Sequence, residues 1–189
     1  MLKFICMNQF LDKIRTLDFE TYTKMYKYGQ DNPDIGYAFF LSAKFGIIIP
    51  FSAFIYLIYT KKINALICSF FAMGLAGLID VVVFVFWKRP RPYISHASVV
   101  DLDAANFRVD VASFPSSHTY IAFAVATSVF LYGHKKLGSF LFVISILIAV
   151  SRIATGLHYP SDVIGGALLG IAAGIVAYII VHKAEKLWE

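Results

Sequence analysis

Three short segments of this 189-residue sequence carry side chains suited to handling a phosphate group. The first is Lys88-Arg89-Pro90-Arg91-Pro92, the second Phe114-Pro115-Ser116-Ser117-His118, and the third runs from Ser151-Arg152 to His158-Tyr159-Pro160-Ser161-Asp162. Arg91 and Arg152 offer planar forks that grip phosphate oxygens two at a time, which a lysine cannot do. Pro115-Ser116-Ser117 precedes an apolar run, so Ser116 and Ser117 suit a helix start whose free N–H groups bind an anion. His158 and Asp162 stand one turn apart if helical. Asp162 then accepts the Nδ1 proton, leaving Nε2 of His158 bare and nucleophilic. His118, if protonated, can donate to the leaving oxygen, a role worth about 10²–10⁴ in rate. The same His-x3-Asp spacing permits metal ligation, or a simple ion pair at a helix start. No carboxylate cluster accompanies it, so no metal and no cofactor is expected.

The elements that must position these residues are membrane helices. Hydrophobic residues make up 59% of the chain and charged residues 15%, against about a quarter charged in a soluble domain. Five runs are nearly free of charge: 35–60, 63–87, 119–133, 137–154 and 163–181. A span needs roughly 20 apolar residues, so the expectation is an all-α polytopic bundle of about five to six spans. The run 119–133 must borrow from its flanks to cross. Residues 1–33 interleave Leu11, Ile14, Leu17, Phe19, Tyr22, Met25 and Tyr26 with charges, which predicts an amphipathic helix at the membrane surface. The chain thus reads as one membrane domain over 1–189: the interfacial segment 1–33, then a bundle over 34–182.

The net charge of +5 would raise nucleic acid as a partner in a soluble protein. Here the basic residues sit between apolar runs, so they set orientation and no nucleic acid is expected. Lys61-Lys62, Lys135-Lys136 and Lys183 with Lys186 fall on one side, which the positive-inside rule makes cytoplasmic. The connection 88–117 and the turn 155–160 then lie outside. Lys88, Arg89 and Arg91 break the rule there, and a basic cluster on the wrong side suggests a job other than topology: contact with the substrate, or for Lys88 and Arg89 plain anchoring at the interface. Two further residues are candidate accessories. Asp80 lies within a span, where a carboxylate is a functional candidate by default; His96 lies in the outer connection. Gly166, Gly170 and Gly174 recur every four residues and predict close helix packing inside the bundle. The cysteines show no metal or redox spacing.

Taken together, the three segments resemble the signature of the type 2 phosphatidic acid phosphatase superfamily, which includes vanadium haloperoxidases and acid phosphatases. The third segment matches in full at Ser151, Arg152, His158 and Asp162. The second matches at Pro115, Ser116 and His118, with Ser117 in place of a glycine. The first matches at Arg91-Pro92, but Phe84 stands where the family has a lysine, and Lys88 or Arg89 is expected to substitute. The resemblance covers roughly 80–182. It implies His158 as nucleophile, Asp162 as its orienting partner and His118 as general acid. Arg91, Arg152 and Ser116 would bind phosphate without a metal.

Within that superfamily, Arg91 to His96 and Ala112 to Ser116 are similar to the bacitracin-resistance type of undecaprenyl-diphosphatase. That likeness implies hydrolysis of undecaprenyl diphosphate at the outer face of the cell membrane. Phosphatidylglycerophosphate, phosphatidate and lipid A phosphatases share the signature, and a non-catalytic lipid-phosphate binder or transporter could reuse the anion site. Nothing in the sequence sets the oligomeric state.

Overall fold

The computed structural model describes residues 2–96 and 112–188; most of the long outer connection, 97–111, lies outside the described residues. Among those described, eight helices and no strand occur: α1 (Leu2–Asp31), α2 (Pro33–Phe45), α3 (Ile48–Tyr59), α4 (Ile63–Phe86), α5 (Pro92–Ser95), α6 (Ser117–Leu131), α7 (Lys135–Ala154) and α8 (Pro160–Trp188). The chain is an all-helical membrane protein. In lipid the backbone must satisfy its own hydrogen bonds, and long apolar runs can do so only as helices. Helices α4, α7 and α8 are long and apolar enough to cross, and α2 with α3 together are long and apolar enough for a further, bent span.

Two expectations need correction. The run 35–60 is not one straight helix but bends by 49° between α2 and α3. Pro50 lies in the first turn of α3, so it has no N–H to donate to Gly46 and its ring crowds that carbonyl. The chain breaks at Gly46–Ile47 as a result. Helix α6 does not lengthen at its flanks either: it stays at 15 residues and stops before Gly133, whose φ is +87°. It is instead the hub of the bundle, packed against α8, α7 and α4. A helix that is apolar on all sides is stable when protein surrounds it, and α6 is buried from Ala122 to Val129 without interruption.

The glycines of α8 set how close that hub lies. A Cβ on Gly170 would come within 2.4 Å of the Tyr120 carbonyl oxygen, and one on Gly166 within 2.7 Å of that of Ser116. The stripe therefore serves packing within the bundle. Outward faces carry exposed apolar side chains such as Ile55, Leu78, Val81, Val85 and Leu168, a surface matched to lipid rather than water.

Helix α1 packs on α7, α2 and α8. Its inward face is Asp18, Tyr22 and Tyr26, all buried, at the four-residue spacing of one helix face. The two ends of the bundle differ in chemistry. At one end Glu185 accepts hydrogen bonds from Asn64 and, at 3.2 Å, from Tyr132; Lys61, Lys62 and His134 line a cavity with them. At the other end the three motif segments meet.

Candidate active site

The turn between α7 and α8 follows from its sequence. Gly156 adopts φ +74°, the left-handed conformation that closes many helices. The N–H groups of Leu157 and His158 both bond the Arg152 carbonyl at 3.1 Å. Pro160 then begins α8, where its missing N–H costs nothing. Asp162, two residues further in, reaches back to accept the Tyr159 N–H at 2.9 Å, one half of a capping box. The histidine-to-aspartate spacing is thus the spacing of a residue just before a helix and one in its first turn.

His158 is 1% exposed. Its Nδ1 lies 2.7 Å from the Ser113 carbonyl oxygen and 3.8 Å from Asp162 Oδ2. The shorter contact fixes the tautomer: Nδ1–H donates to the carbonyl, and Nε2 keeps its lone pair. Asp162 is satisfied by other donors. Ser113 Oγ donates to Oδ2 at 2.5 Å, and Arg89 Nη1 donates to Oδ1 at 2.7 Å. Sequence reading had Asp162 accept the Nδ1 proton; in the structure a main-chain carbonyl stands nearer, and Asp162 knits the surrounding segments together.

The Nε2 side of the ring meets Arg91, whose Nη1 is 3.4 Å away. Pro92 holds Arg91 in an extended conformation, with ψ 157°, because a residue before proline avoids the helical region. Arg152 is 4% exposed. Its Nη1 donates to the Ala43 carbonyl at 3.0 Å, while its buried Nε has no hydrogen-bond partner among the described residues. His118 interacts electrostatically with Arg152, His158 and Arg91, so the two histidines and two arginines share one site. Ser116 begins α6 beside them. Its N–H donates to the Asp162 carbonyl at 3.1 Å, and its Oγ accepts from Thr119 at 3.0 Å. Ser117 follows as the first residue of α6, whose first turn leaves N–H groups without helical partners.

Burial holds the protonated form of His158 down, to about 4, partly opposed by Asp162 and reinforced by Arg152 and Arg91. The imidazole is therefore neutral at physiological pH. Burial likewise pulls the Arg91 guanidinium below its usual value, offset in part by Tyr93 and Asp162. Two cationic forks suit a bound phosphate, and the neutral imidazole keeps a lone pair on the Nε2 that faces one of them.

The sequence matches the PAP2 superfamily over residues 65–186. The chain belongs to this superfamily. The undecaprenyl-diphosphatase BcrC of Bacillus subtilis (strain 168) is 35% identical over 106 residues, covering 56% of this chain and 52% of that protein. A lipid A 4'-phosphatase of Porphyromonas gingivalis is 27% identical over 166 residues, covering 81% of this chain and 68% of that protein. The crystal structure of Aquifex aeolicus LpxE superposes with a TM-score of 0.71 and 29% identity, covering 85% of this chain and 94% of that one. The chain spans about half the length of the first curated relatives it matches.

Other candidate residues of this PAP2 chain fall outside the histidine–arginine group. Lys88 is exposed, with its Nζ over the Phe84 ring at 5.2 Å. Arg89 directs its hydrogen bonds to carboxylates and a hydroxyl: Asp162, Asp18 at 2.7 Å and Ser161 at 2.6 Å. Its guanidinium also stacks 4.0 Å from the centre of the Tyr159 ring. His96 packs among aromatic rings, 4.4 Å from Phe19 between centroids. Asp80 accepts a 3.2 Å hydrogen bond from Tyr120 of α6. Among the described residues no three His, Cys, Asp or Glu side chains gather as a metal site.

Sequence reading missed Ser113, Asp18, Ser161 and Tyr159. Ser113 stood only within the 112–116 string that carries the resemblance, with no role of its own. Asp18 carried a faint signal, since with Tyr22 and Tyr26 it repeats every four residues on a helix otherwise read as interfacial.

Proposed function

We propose that this protein is a membrane lipid phosphatase that forms a phosphohistidine on His158 and releases phosphate by hydrolysis. The observation carrying this reading is the pinned ring: Nδ1 held by the Ser113 carbonyl at 2.7 Å, Nε2 turned toward Arg91. Binding alone would need the arginines but not a tautomer-fixed imidazole between them. In the proposed sequence Arg91 and Arg152 hold the phosphate oxygens, Arg152 Nε gaining a partner in the anion. Free N–H groups at the start of α6, with Ser116 and Ser117, complete the cradle. Nε2 attacks phosphorus and the bond to the leaving oxygen breaks, with His118 donating the proton. Burial, Arg152, His158 and Arg91 hold the protonated form of His118 down, to about 3, so it takes up that proton only once the negative charge of the phosphate is bound beside it. Water then attacks phosphorus, the N–P bond breaks, and His118 takes the proton back.

The site lies at the end of the bundle opposite the Lys61, Lys135 and Lys183 ends, so we place it on the extracytoplasmic face of the cell membrane. Undecaprenyl diphosphate is the proposed substrate, on the likeness to BcrC. A lipid A phosphate is the second reading, favoured by the longer match to a lipid A 4'-phosphatase. A cavity of about 830 Å³ beside Arg89 and Ser161, walled by Leu11, Ile14, Phe19 and Trp87, suits an apolar part of either lipid.

Purified protein in detergent with EDTA should release phosphate from undecaprenyl diphosphate in preference to lipid A, phosphatidate and phosphatidylglycerophosphate. Activity lost on chelation and regained with a divalent metal would rule out the metal-free mechanism. Equal turnover of all four lipids would rule out the narrow substrate assignment.

The pH dependence has a fixed sign. Protonation removes the Nε2 lone pair, so activity is present above the His158 value and lost as pH falls through it. The acid limb is read with a soluble phosphate ester whose leaving group needs no proton, so that His118 drops out of the rate. After correction for the substrate's own titration, kcat/KM should then stay level below the ordinary histidine value of about 6.5. It should fall only as pH approaches about 4. An acid limb near the ordinary value would mean that the titrating base is not this buried ring.

A further inference from the structure

We propose that Asp18, on the N-terminal helix, is a positioning residue of the active site, acting through Arg89 on Asp162 and so on the turn that carries His158. This rests on His158 being the nucleophile. The contacts form a closed set. Arg89 Nη2 donates to Asp18 Oδ2 and Nη1 to Asp162 Oδ1, each at 2.7 Å. Asp18 also accepts from Ser161, from its N–H at 2.8 Å and its hydroxyl at 2.5 Å. Ser161 and Asp162 are neighbours in the first turn of α8. One guanidinium thus bridges two carboxylates, and the second carboxylate in turn anchors the same turn of helix. Asp18 is 4% exposed and Asp162 fully buried, with the Arg89 side chain 18% exposed between them, so the bonds are partly shielded from water, which strengthens charge-assisted contacts.

The arrangement has a consequence for the reaction. Asp162 orders the His158 turn through the Tyr159 N–H and the Ser113 hydroxyl, and Ser113 in turn supplies the carbonyl that fixes the His158 tautomer. Asp162 can accept those two bonds in one geometry only while its other oxygen is held by Arg89. Arg89 is held in place by Asp18 and by the face of Tyr159. Helix α1 is thereby a part of the catalytic unit.

Among the described residues, Asp162 of α8, Arg152 of α7 and Arg91 act electrostatically on His158, and His158 on His118 of α6. Behind them Arg89 bonds Asp162, and Tyr93 of α5 acts on Arg91 and Arg152. Asp18 on α1 lies behind Arg89. Removing Arg89 leaves the Asp162 charge less compensated and favours a proton on His158, so the acid limb of kcat/KM should move up from its wild-type position. Arg89→Lys keeps the charge, but a single ammonium cannot bridge both carboxylates as the fork does. That variant should lose kcat while its acid limb stays put.

The test measures kcat, KM and the acid limb for full-length Asp18→Asn, Arg89→Gln, Arg89→Lys and the double variant Asp18→Asn/Arg89→Gln. Asp18→Asn and Arg89→Gln should each lower kcat about 10- to 100-fold, taking as a guide the scale known for groups that orient metal ligands, with KM within about threefold. The double variant should be no worse than Arg89→Gln, because both substitutions break one unit. A rise in KM at unchanged kcat, multiplied losses in the double variant, or an unmoved acid limb in Arg89→Gln would overturn the proposal. If Asp18→Asn does not fold, the contrast between Arg89→Gln and Arg89→Lys still decides it. Turnover surviving in His158→Ala would remove the nucleophile assignment itself. Inactive His158→Ala beside wild-type-like Asp18→Asn would remove only this inference.

Discussion

Replacing His158 with Ala is expected to cut lipid phosphate turnover by about 10⁴- to 10⁶-fold, the scale seen when a nucleophile that acts as part of a unit is removed. The expectation rests on three features that no other side chain of the site combines. The Ser113 carbonyl takes the Nδ1 proton at 2.7 Å, so the lone pair is on Nε2. Burial keeps the ring neutral down to about pH 4, so the attacking form is fully populated at neutral pH. Nε2 faces Arg91 at 3.4 Å, where an arginine-bound phosphate would present its phosphorus. His118 shares the arginines, and in the proposed sequence it is a proton donor. Removing it should slow departure of the leaving group by about 10²–10⁴-fold without preventing attack.

Two measurements check the larger loss. Acid-labile, base-stable label from a ³²P-substrate should appear on wild-type protein after rapid quench and be absent in His158→Ala. The variant should still bind inorganic phosphate, since Arg91 and Arg152 remain. Residual turnover above about one per cent of wild type, far outside the range for a lost nucleophile, would show that another group attacks.

Most of this fold was legible because lipid leaves an apolar run few choices. Each of the five runs became helical, and the basic loops gathered at one end. What was lost was local geometry inside a run. Pro50 reads as one more apolar residue on a hydropathy scale, yet its missing N–H breaks the first span at Gly46. The site divides the same way. His158 and Asp162 are readable because turn, proline and first helical turn fix their spacing within five residues. The Nδ1 partner is not readable, because a main-chain carbonyl leaves no mark in the side-chain pattern. Nor is Asp18, which meets Ser161 across 143 residues of sequence. Its partner Arg89 was noticed as a cation on the unexpected side. Charge alone could not tell a phosphate ligand from a residue bridging two carboxylates.

Gly170→Ala is expected to destabilise the bundle by about 1–3 kcal/mol, the cost of overpacking a tight interior, against a helix propensity that favours alanine by about 1 kcal/mol. The added Cβ would lie 2.4 Å from the Tyr120 carbonyl oxygen, 2.9 Å from Phe123 Cβ and 3.0 Å from the Ala124 N. Two of those three atoms are backbone of the central helix α6, which cannot rotate away as a side chain can. Relief therefore requires α6 and α8 to separate. Gly74 on α4 supplies the control, since a Cβ there meets nothing within 4 Å, and Gly74→Ala should melt at or above the wild-type temperature in detergent. Gly166→Ala separates stability from chemistry. Its Cβ would press on the Ser116 carbonyl at 2.7 Å, at the start of α6 where Ser116 also bonds Asp162. Activity in that variant should fall by more than its melting temperature alone explains, because the displaced segment carries Ser117 and His118. Wild-type melting of Gly170→Ala would mean that α6 and α8 do not approach this closely. The shared placement of His118 and His158 would then need another support.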